Sequence, residues 1–445
     1  MAAGERSVVH ERAALRRVRP ERRRSSRRTA GMTRTAGSET AYRRLLTAST
    51  ISALGDGVRF SALPLLAAAL LDSPFAVSLV TASSTLPWLL LSLPIGALAD
   101  RCDRRALMVA ADLLRAGALA IAVVLLLNDA LHLWSLVAVA SVLGIGEVLF
   151  DCASFAVLPA LVTAERLPSA NGRLFTSQTL SRDMVGHVLG GWLFGIGQFV
   201  PLLVNTVSFL LSAGFLSALP ASRSSRPDTP RKLLQEIAEG IAFVARDRLM
   251  RALTLAAGLV NAVYLGQIAI FVLLIRETLH VPASSYGLFV AASALGGVLG
   301  GAVADRVTRR LGRARALAAA LAVVAACGPV IAATTSPWVV GAANLASGAA
   351  IMVWNVVAVS VRQSLVPEQM LGRSIGVYRL FAWGTMPLGA ALYGLLADLW
   401  GTRAAFLAGS LLAVAALLLV VPALLSEARL ARADPAVPAV DQPKS

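Results

Sequence analysis

The chain has 445 residues, of which 57% are hydrophobic and 15% charged, with a mean hydropathy of +0.71. Soluble globular chains carry about 25% charged residues, so a composition this apolar excludes an ordinary soluble domain. The formal net charge of +16 invites a nucleic-acid reading, but residues 1–31 alone hold ten Arg and three Glu, and most of the remaining basic residues sit in short loops between apolar runs.

From the N-terminus, residues 1–44 read as a disordered basic cytoplasmic tail. Ser26-Arg27-Arg28 is followed by no apolar stretch that would make it a signal peptide. Apolar segments then recur at 45–71, 77–99, 106–127, 133–158, 174–197 and 199–219, and again at 253–275, 286–304, 314–334, 338–361, 374–398 and 403–425. Each has about the 20 residues needed to cross a hydrocarbon core about 30 Å thick. The expected fold is therefore an all-α membrane protein of twelve transmembrane helices, embedded in the lipid bilayer. Its N-terminal six-helix bundle covers 45–219 and its C-terminal bundle 253–425, with a tail at 426–445.

The even-numbered loops carry Arg101, Arg104 and Arg105, Arg166 and Arg173, then Arg306, Arg309, Arg310, Arg313 and Arg315 and finally Arg362 and Arg373, whereas the odd-numbered loops carry only Arg276 and Arg403. The positive-inside rule then puts both termini in the cytoplasm. The long basic loop 220–252 divides the spans six and six, and within it Leu233, Leu234, Ile237, Ile241 and Val244 share one helical face, behind a Thr229-Pro230 cap.

The two halves echo each other. GALADRCDRR at 96–105 recurs as GAVADRVTRR at 301–310, in both cases between the second and third spans of a half. LPALVTAERLPSANGR at 158–173 is echoed by LVPEQMLGR at 365–373, between the fourth and fifth. Two parallel six-helix repeats with a site at their interface are a known transporter plan, consistent with alternating access.

At GALADRCDRR the sequence resembles the major facilitator superfamily, and the resemblance covers about residues 40–425. The motif residues are Gly96, Asp100, Arg101, Arg104 and Arg105, with a second copy at Gly301, Asp305, Arg306, Arg309 and Arg310. Asp103 and Thr308 stand where the family pattern has Gly. The motif's chemistry suits a conformational switch, with Asp100 pairing Arg104 or meeting a neighbouring helix N-terminus and the glycine allowing close helix approach; the alternative is a basic turn that only sets topology. Gly55-Asp56, ADLLRAGALA at 111–120 and LPALVTAERLPSANGR are similar to the exporter branch that contains macrolide efflux proteins and the enterobactin exporter. Two features depart from the antiporter pattern. His187 precedes the paired Gly190-Gly191 where a Gly-Pro is usual, and Ala140 stands where some multidrug antiporters have arginine.

Ionisable residues inside spans are functional candidates by default. Asp56 falls near the middle of the first span, with Arg59 one turn on to neutralise it. Glu147 and Asp151, at i and i+4 on the fourth span, would repel if both were ionised, and Asp151 is expected near the cytoplasmic end. Arg182, Asp183 and His187 cluster in the fifth span, and an imidazole titrates near pH 6.5. Asp112 and Arg115 are expected to be structural partners. In the second half Asn261, Tyr264, Gln267, Asn344 and Asn355 are neutral polar candidates, and Trp354 and Trp383 are candidates to stack on a flat organic substrate.

Cys102, Cys152 and Cys327 have no metal spacing, and no phosphate-binding G-x-x-x-x-G-K-[ST] loop occurs. No cofactor, metal, nucleic acid or enzyme activity is expected. The sequence points to a monomeric proton-coupled exporter of a small organic molecule (a drug, a macrolide-like compound or a siderophore) in a bacterial cytoplasmic membrane. An importer or facilitator, or a non-transporting receptor or scaffold, stays open on the residues alone.

Overall fold

The computed structural model describes residues 39–163, 166–221, 233–366 and 368–433. Among the described residues, eleven helices are long and apolar enough to cross a membrane. In chain order these begin with α1 (Glu39–Leu70), α2 (Pro74–Arg101), α3 (Arg104–Leu127) and α4 (Leu133–Leu161). The fifth span is assembled from three pieces: α5 (Leu167–Thr179), a π-helical stretch Leu180–Gly186, and α6 (His187–Ile196). It completes the first half with α7 (Val200–Ser217).

A short α8 (Leu233–Arg246) leads into the second half, which consists of α9 (Arg248–Leu273), α10 (Tyr286–Leu311), α11 (Arg313–Ala333), α12 (Pro337–Leu365), α13 (Glu368–Trp400) and α14 (Thr402–Ala433). The outer helices run past the expected spans. α1 begins at Glu39, inside the expected tail, and α14 continues to Ala433. The tails at 1–38 and 434–445 and the Thr229-Pro230 cap lie outside the described residues.

Local chemistry sets the boundaries. Ser73 accepts from the Ala76 amide ahead of Pro74, Asp103 caps α3 through the Arg105 amide at 3.0 Å, and Asp247 caps α9 through the Met250 amide at 2.7 Å. Gly312 (φ 78°) and Gly401 (φ 84°) make the tight turns after α10 and α13 in the left-handed region open to glycine.

On α3 the residues Met108, Ala111, Asp112, Arg115, Leu119 and Ala122 are buried, while Leu113, Leu114, Ile121 and Val124 face outward. A helix with an apolar exposed face and two charged residues on its buried face suits lipid outside and a polar core inside.

The helices pack as two copies of one pattern. In the first half α2 packs on α4, and α3 on α4 and α7; in the second, α10 packs on α12, and α11 on α12 and α14. The halves meet through the same pairing used twice: α2 against α13, and α10 against α6. The repeat seen in the two loop motifs is therefore a repeat of the whole bundle. α8 belongs to the second half, where Phe243 and Val244 pack with Met250, Val366 and Val377, although Ile241 on its expected apolar face is exposed.

Candidate functional site

The first half holds a charged cluster in its core. Asp56 on α1 is buried, and three guanidiniums converge on it. Arg59 reaches Oδ1 at 3.4 Å, and Arg115 and Arg182 reach Oδ2 at 3.1 and 3.9 Å. Glu147 on α4 pairs with Arg59 at 2.9 Å and with Arg182 at 3.6 Å. Behind them Arg115 also pairs with Asp112 and donates to Ser52 Oγ at 3.1 Å. The Arg115 guanidinium lies 4.1 Å from the Phe209 ring centroid and 5.0 Å from that of Phe150, and Arg59 lies 4.4 Å from that of Phe60. Arginine suits this place, because its planar fork can serve two carboxylates at once while its faces stack on rings.

Glycine and the π-helical stretch make the cluster possible. A Cβ on Gly57 would strike the Arg182 carbonyl oxygen and the Gly186 Cα, so α1 and the fifth span touch backbone to backbone. A Cβ on Gly146 would meet the Arg115 stem. The wide turn of Leu180–Gly186 carries Arg182 and Asp183, and π-helical insertions recur at functional sites because they re-aim side chains.

Two chambers lie between the halves. The larger, about 640 Å³, is lined by Phe175 and Thr176 on α5, Gly301 on α10, Asn355 on α12 and Tyr378 on α13. These positions lie toward the arginine-rich loops. The smaller, about 340 Å³, is lined by Arg59, Phe60, Trp88, Glu147, Asp151, Arg182 and Tyr286. Asp183, His187, Tyr264, Trp383 and Met386 line both.

At the opposite, arginine-poor end the halves are closed on each other. Ser73 donates to Asp398 at 2.8 Å, Arg276 donates to the Ala68 carbonyl at 2.5 Å, and the backbones of Gly191 and Gly287 meet. Arg276, one of the two exceptions to the loop-charge pattern, is thus part of this closure. The chambers are reached from the arginine-rich side.

Of the expected site residues, Asp56, Arg59, Glu147 and Arg182 come together in one network, with Asp151, Asp183 and His187 in the chamber walls. Asp151 does not reach an aqueous interface at a helix end; it lines the inner chamber beside Glu147. His187 is held to α1, its Nδ1 at 3.1 Å from Ser61 Oγ and its ring 6.2 Å from Phe60. Trp383 stands edge-on to Trp88 at 4.8 Å in both chamber walls. Trp354 is corrected: it is buried in the apolar core of the second half and lines neither chamber, because its face of α12 packs inward on that half.

Asn261, Tyr264, Gln267, Asn344 and Asn355 all line the larger chamber. Sequence reasoning placed Asp112 and Arg115 outside the site, yet Arg115 binds Asp56 directly. The available signal was an arginine about three turns from either end of an apolar span. Trp88 and Tyr286 were missed altogether, since an aromatic residue in an apolar run carries no positional signal.

The loop motif behaves differently from its expected form. The side chains of Asp100 and Arg101 lie outside the described residues. Arg105 donates to the Leu219 carbonyl at 3.1 Å, tying α3 to the end of α7. Gly96 has open space around it, so it is not a close-approach glycine in this conformation, and Gly301 makes only ordinary contact with Met352. In the second copy Asp305 pairs with Arg309 on an exposed face, and Arg306 and Arg310 are exposed.

A family described as transmembrane secretion effector matches residues 35–443. The multidrug efflux pump Tap of Mycolicibacterium fortuitum is 28% identical over 389 residues, covering 82% of this chain and 91% of that protein. Macrolide efflux protein A of Streptococcus pyogenes is 24% identical over 235 residues, covering 51% of this chain and 58% of that one. The crystal structure of the nucleoside transporter NupG superposes with a TM-score of 0.71 at 11% identity, covering 86% of this chain and 99% of NupG, a likeness of fold.

Proposed function

Because this transporter of small molecules belongs to the transmembrane secretion effector family of the major facilitator superfamily, we propose that it exports a small organic molecule by proton-coupled alternating access. The observation that carries this reading is the pair of chambers between two pseudo-repeated halves, with a buried charge network in one wall. Substrate enters from the arginine-rich side, which the loop charges place in the cytoplasm, and leaves when the closure at Ser73, Arg276 and Asp398 opens. Export is supported by the efflux names of the relatives.

We assign the coupling role to Glu147 rather than to Asp56. Asp56 is surrounded by three guanidiniums and lines neither chamber, whereas Glu147 lines the smaller one. A proton arriving from the chamber reaches Glu147 before it reaches Asp56. Neutral Glu147 releases its hold on Arg59 and Arg182, which stay on Asp56, and α4 is then free to move against α1 and the fifth span. A state-dependent proton affinity of this kind is what coupling requires. The loop motif contributes to switching by tying α3 to α7 through Arg105. One copy of the chain suffices, since both halves of the site come from it.

The test is uptake into inside-out vesicles made from cells expressing the protein. With an imposed proton gradient, acid inside, a radiolabelled macrolide or another member of a drug panel accumulates, and the accumulation collapses on adding a protonophore. Absence of gradient-driven uptake across the panel refutes the reading.

A further inference from the structure

The charges of the site do not balance. Asp56, Asp112 and Glu147 answer the three guanidiniums of Arg59, Arg115 and Arg182. Two further carboxylates, Asp151 and Asp183, line the chambers and form no ion pair among the described residues. A carboxylate within a membrane span, lining a cavity and without an ion-pair partner, marks a functional position.

A second, independent observation points the same way. Tyr286, a wall residue of the smaller chamber, is 0% exposed, and its hydroxyl has no hydrogen-bond partner. Buried hydroxyls are normally satisfied, so this one calls for a ligand or ordered water. The surrounding walls are aromatic and soft: Phe60, Trp88, Tyr264, Trp383 and Met386. Trp383 is 38% exposed and stands edge-on to Trp88, with the Arg379 guanidinium 6.0 Å from its ring centroid, so its ring already accepts a cation. Indole faces attract cations.

We propose that the chambers bind an amphiphilic organic cation. Its ammonium is held by Asp183, in the wall shared by both chambers, with Asp151 as the second carboxylate of the smaller one. Its apolar body lies on Trp383, Trp88, Phe60 and Met386, and a polar atom of the ligand meets the Tyr286 hydroxyl. This deepens the transport reading and rests on it for the passage of the ligand, though not for its binding.

The experiment uses calorimetric titration of the purified full-length chain with three probes of similar shape: tetraphenylphosphonium, neutral triphenylphosphine oxide and tetraphenylborate. Tetraphenylphosphonium binds best. Asp183→Asn weakens it at least tenfold and leaves the neutral probe unchanged, and Asp183→Glu restores it. Trp383→Ala weakens both the cation and the neutral probe. Unchanged phosphonium binding in Asp183→Asn, or borate binding as well as phosphonium, overturns the proposal. Phosphonium binding without gradient-driven vesicle uptake overturns export and leaves the site standing. Gradient-driven uptake of a neutral or acidic compound, without phosphonium binding, does the reverse.

Discussion

Arg115 is the structural keystone of the charge network, and its removal makes a quantitative test. Its side chain is 1% exposed and joins four elements: Asp56 and Ser52 on α1, Asp112 on its own α3, and the rings of Phe150 and Phe209 on α4 and α7. In Arg115→Met the volume is roughly kept and the charge removed. Asp56 keeps Arg59 and Arg182, but Asp112, 0% exposed, loses the guanidinium that neutralises it. Breaking a buried pair by removing one partner destabilises by about 3–5 kcal/mol, because a buried charge is left uncompensated.

If the first half melts as a unit, that corresponds to a fall in melting temperature of roughly 6–20 °C, at about 2–4 °C per kcal/mol for 150–250 residues. Adding Asp112→Asn recovers most of the loss, since no buried charge is then stranded. Arg115→Lys recovers little, because an ammonium cannot span Asp56, Asp112 and Ser52 together. Scanning fluorimetry in detergent measures all three. An Arg115→Met protein that melts with wild type, or a double variant less stable than the single, would refute the reasoning.

Three further outcomes are expected. Glu147→Gln abolishes gradient-driven transport while substrate counterflow in vesicles survives, because exchange needs no net proton movement; full gradient-driven transport in this variant removes Glu147 from coupling. Ser73→Ala or Asp398→Ala each removes a hydrogen bond of the outer closure, about 0.5–1.5 kcal/mol, and shifts the population roughly two- to tenfold toward outward opening. This is read as faster maleimide labelling, from the arginine-poor side, of a cysteine placed at Thr85 in the smaller chamber, and unchanged labelling contradicts the closure. Reporter fusions at Asp72, Asp129 and His280 score as external and at Arg226 and Arg313 as cytoplasmic; a cytoplasmic His280 overturns the orientation.

Much of this protein is determined by its sequence alone. Length and hydropathy set the number of spans, since an α-helix needs about 20 apolar residues to cross a bilayer, and the fold follows the expected six-plus-six division. The echo of Gly96–Arg105 in Gly301–Arg310 announced the repeat that the packing repeats helix by helix. Asp56, Arg59, Glu147 and Arg182 were legible as candidates because a charged residue in an apolar run stands out against its neighbours.

Tertiary structure decided the rest, for physical reasons that no local pattern carries. Whether Asp56 is a free acid or a clamped one depends on Arg115 and Arg182, which lie 59 and 126 positions away along the chain and arrive only when α1, α3 and the fifth span pack together. The π-helical turn that delivers Arg182 lies against α1 at the backbone contact of Gly57 with Gly186, a pairing made across two helices. Trp354 and Trp383 read alike in sequence, 29 residues apart on neighbouring spans, yet one fills a core and the other walls a chamber. An apolar span shows how deep a side chain sits; which way it faces is settled by the neighbours that bury it.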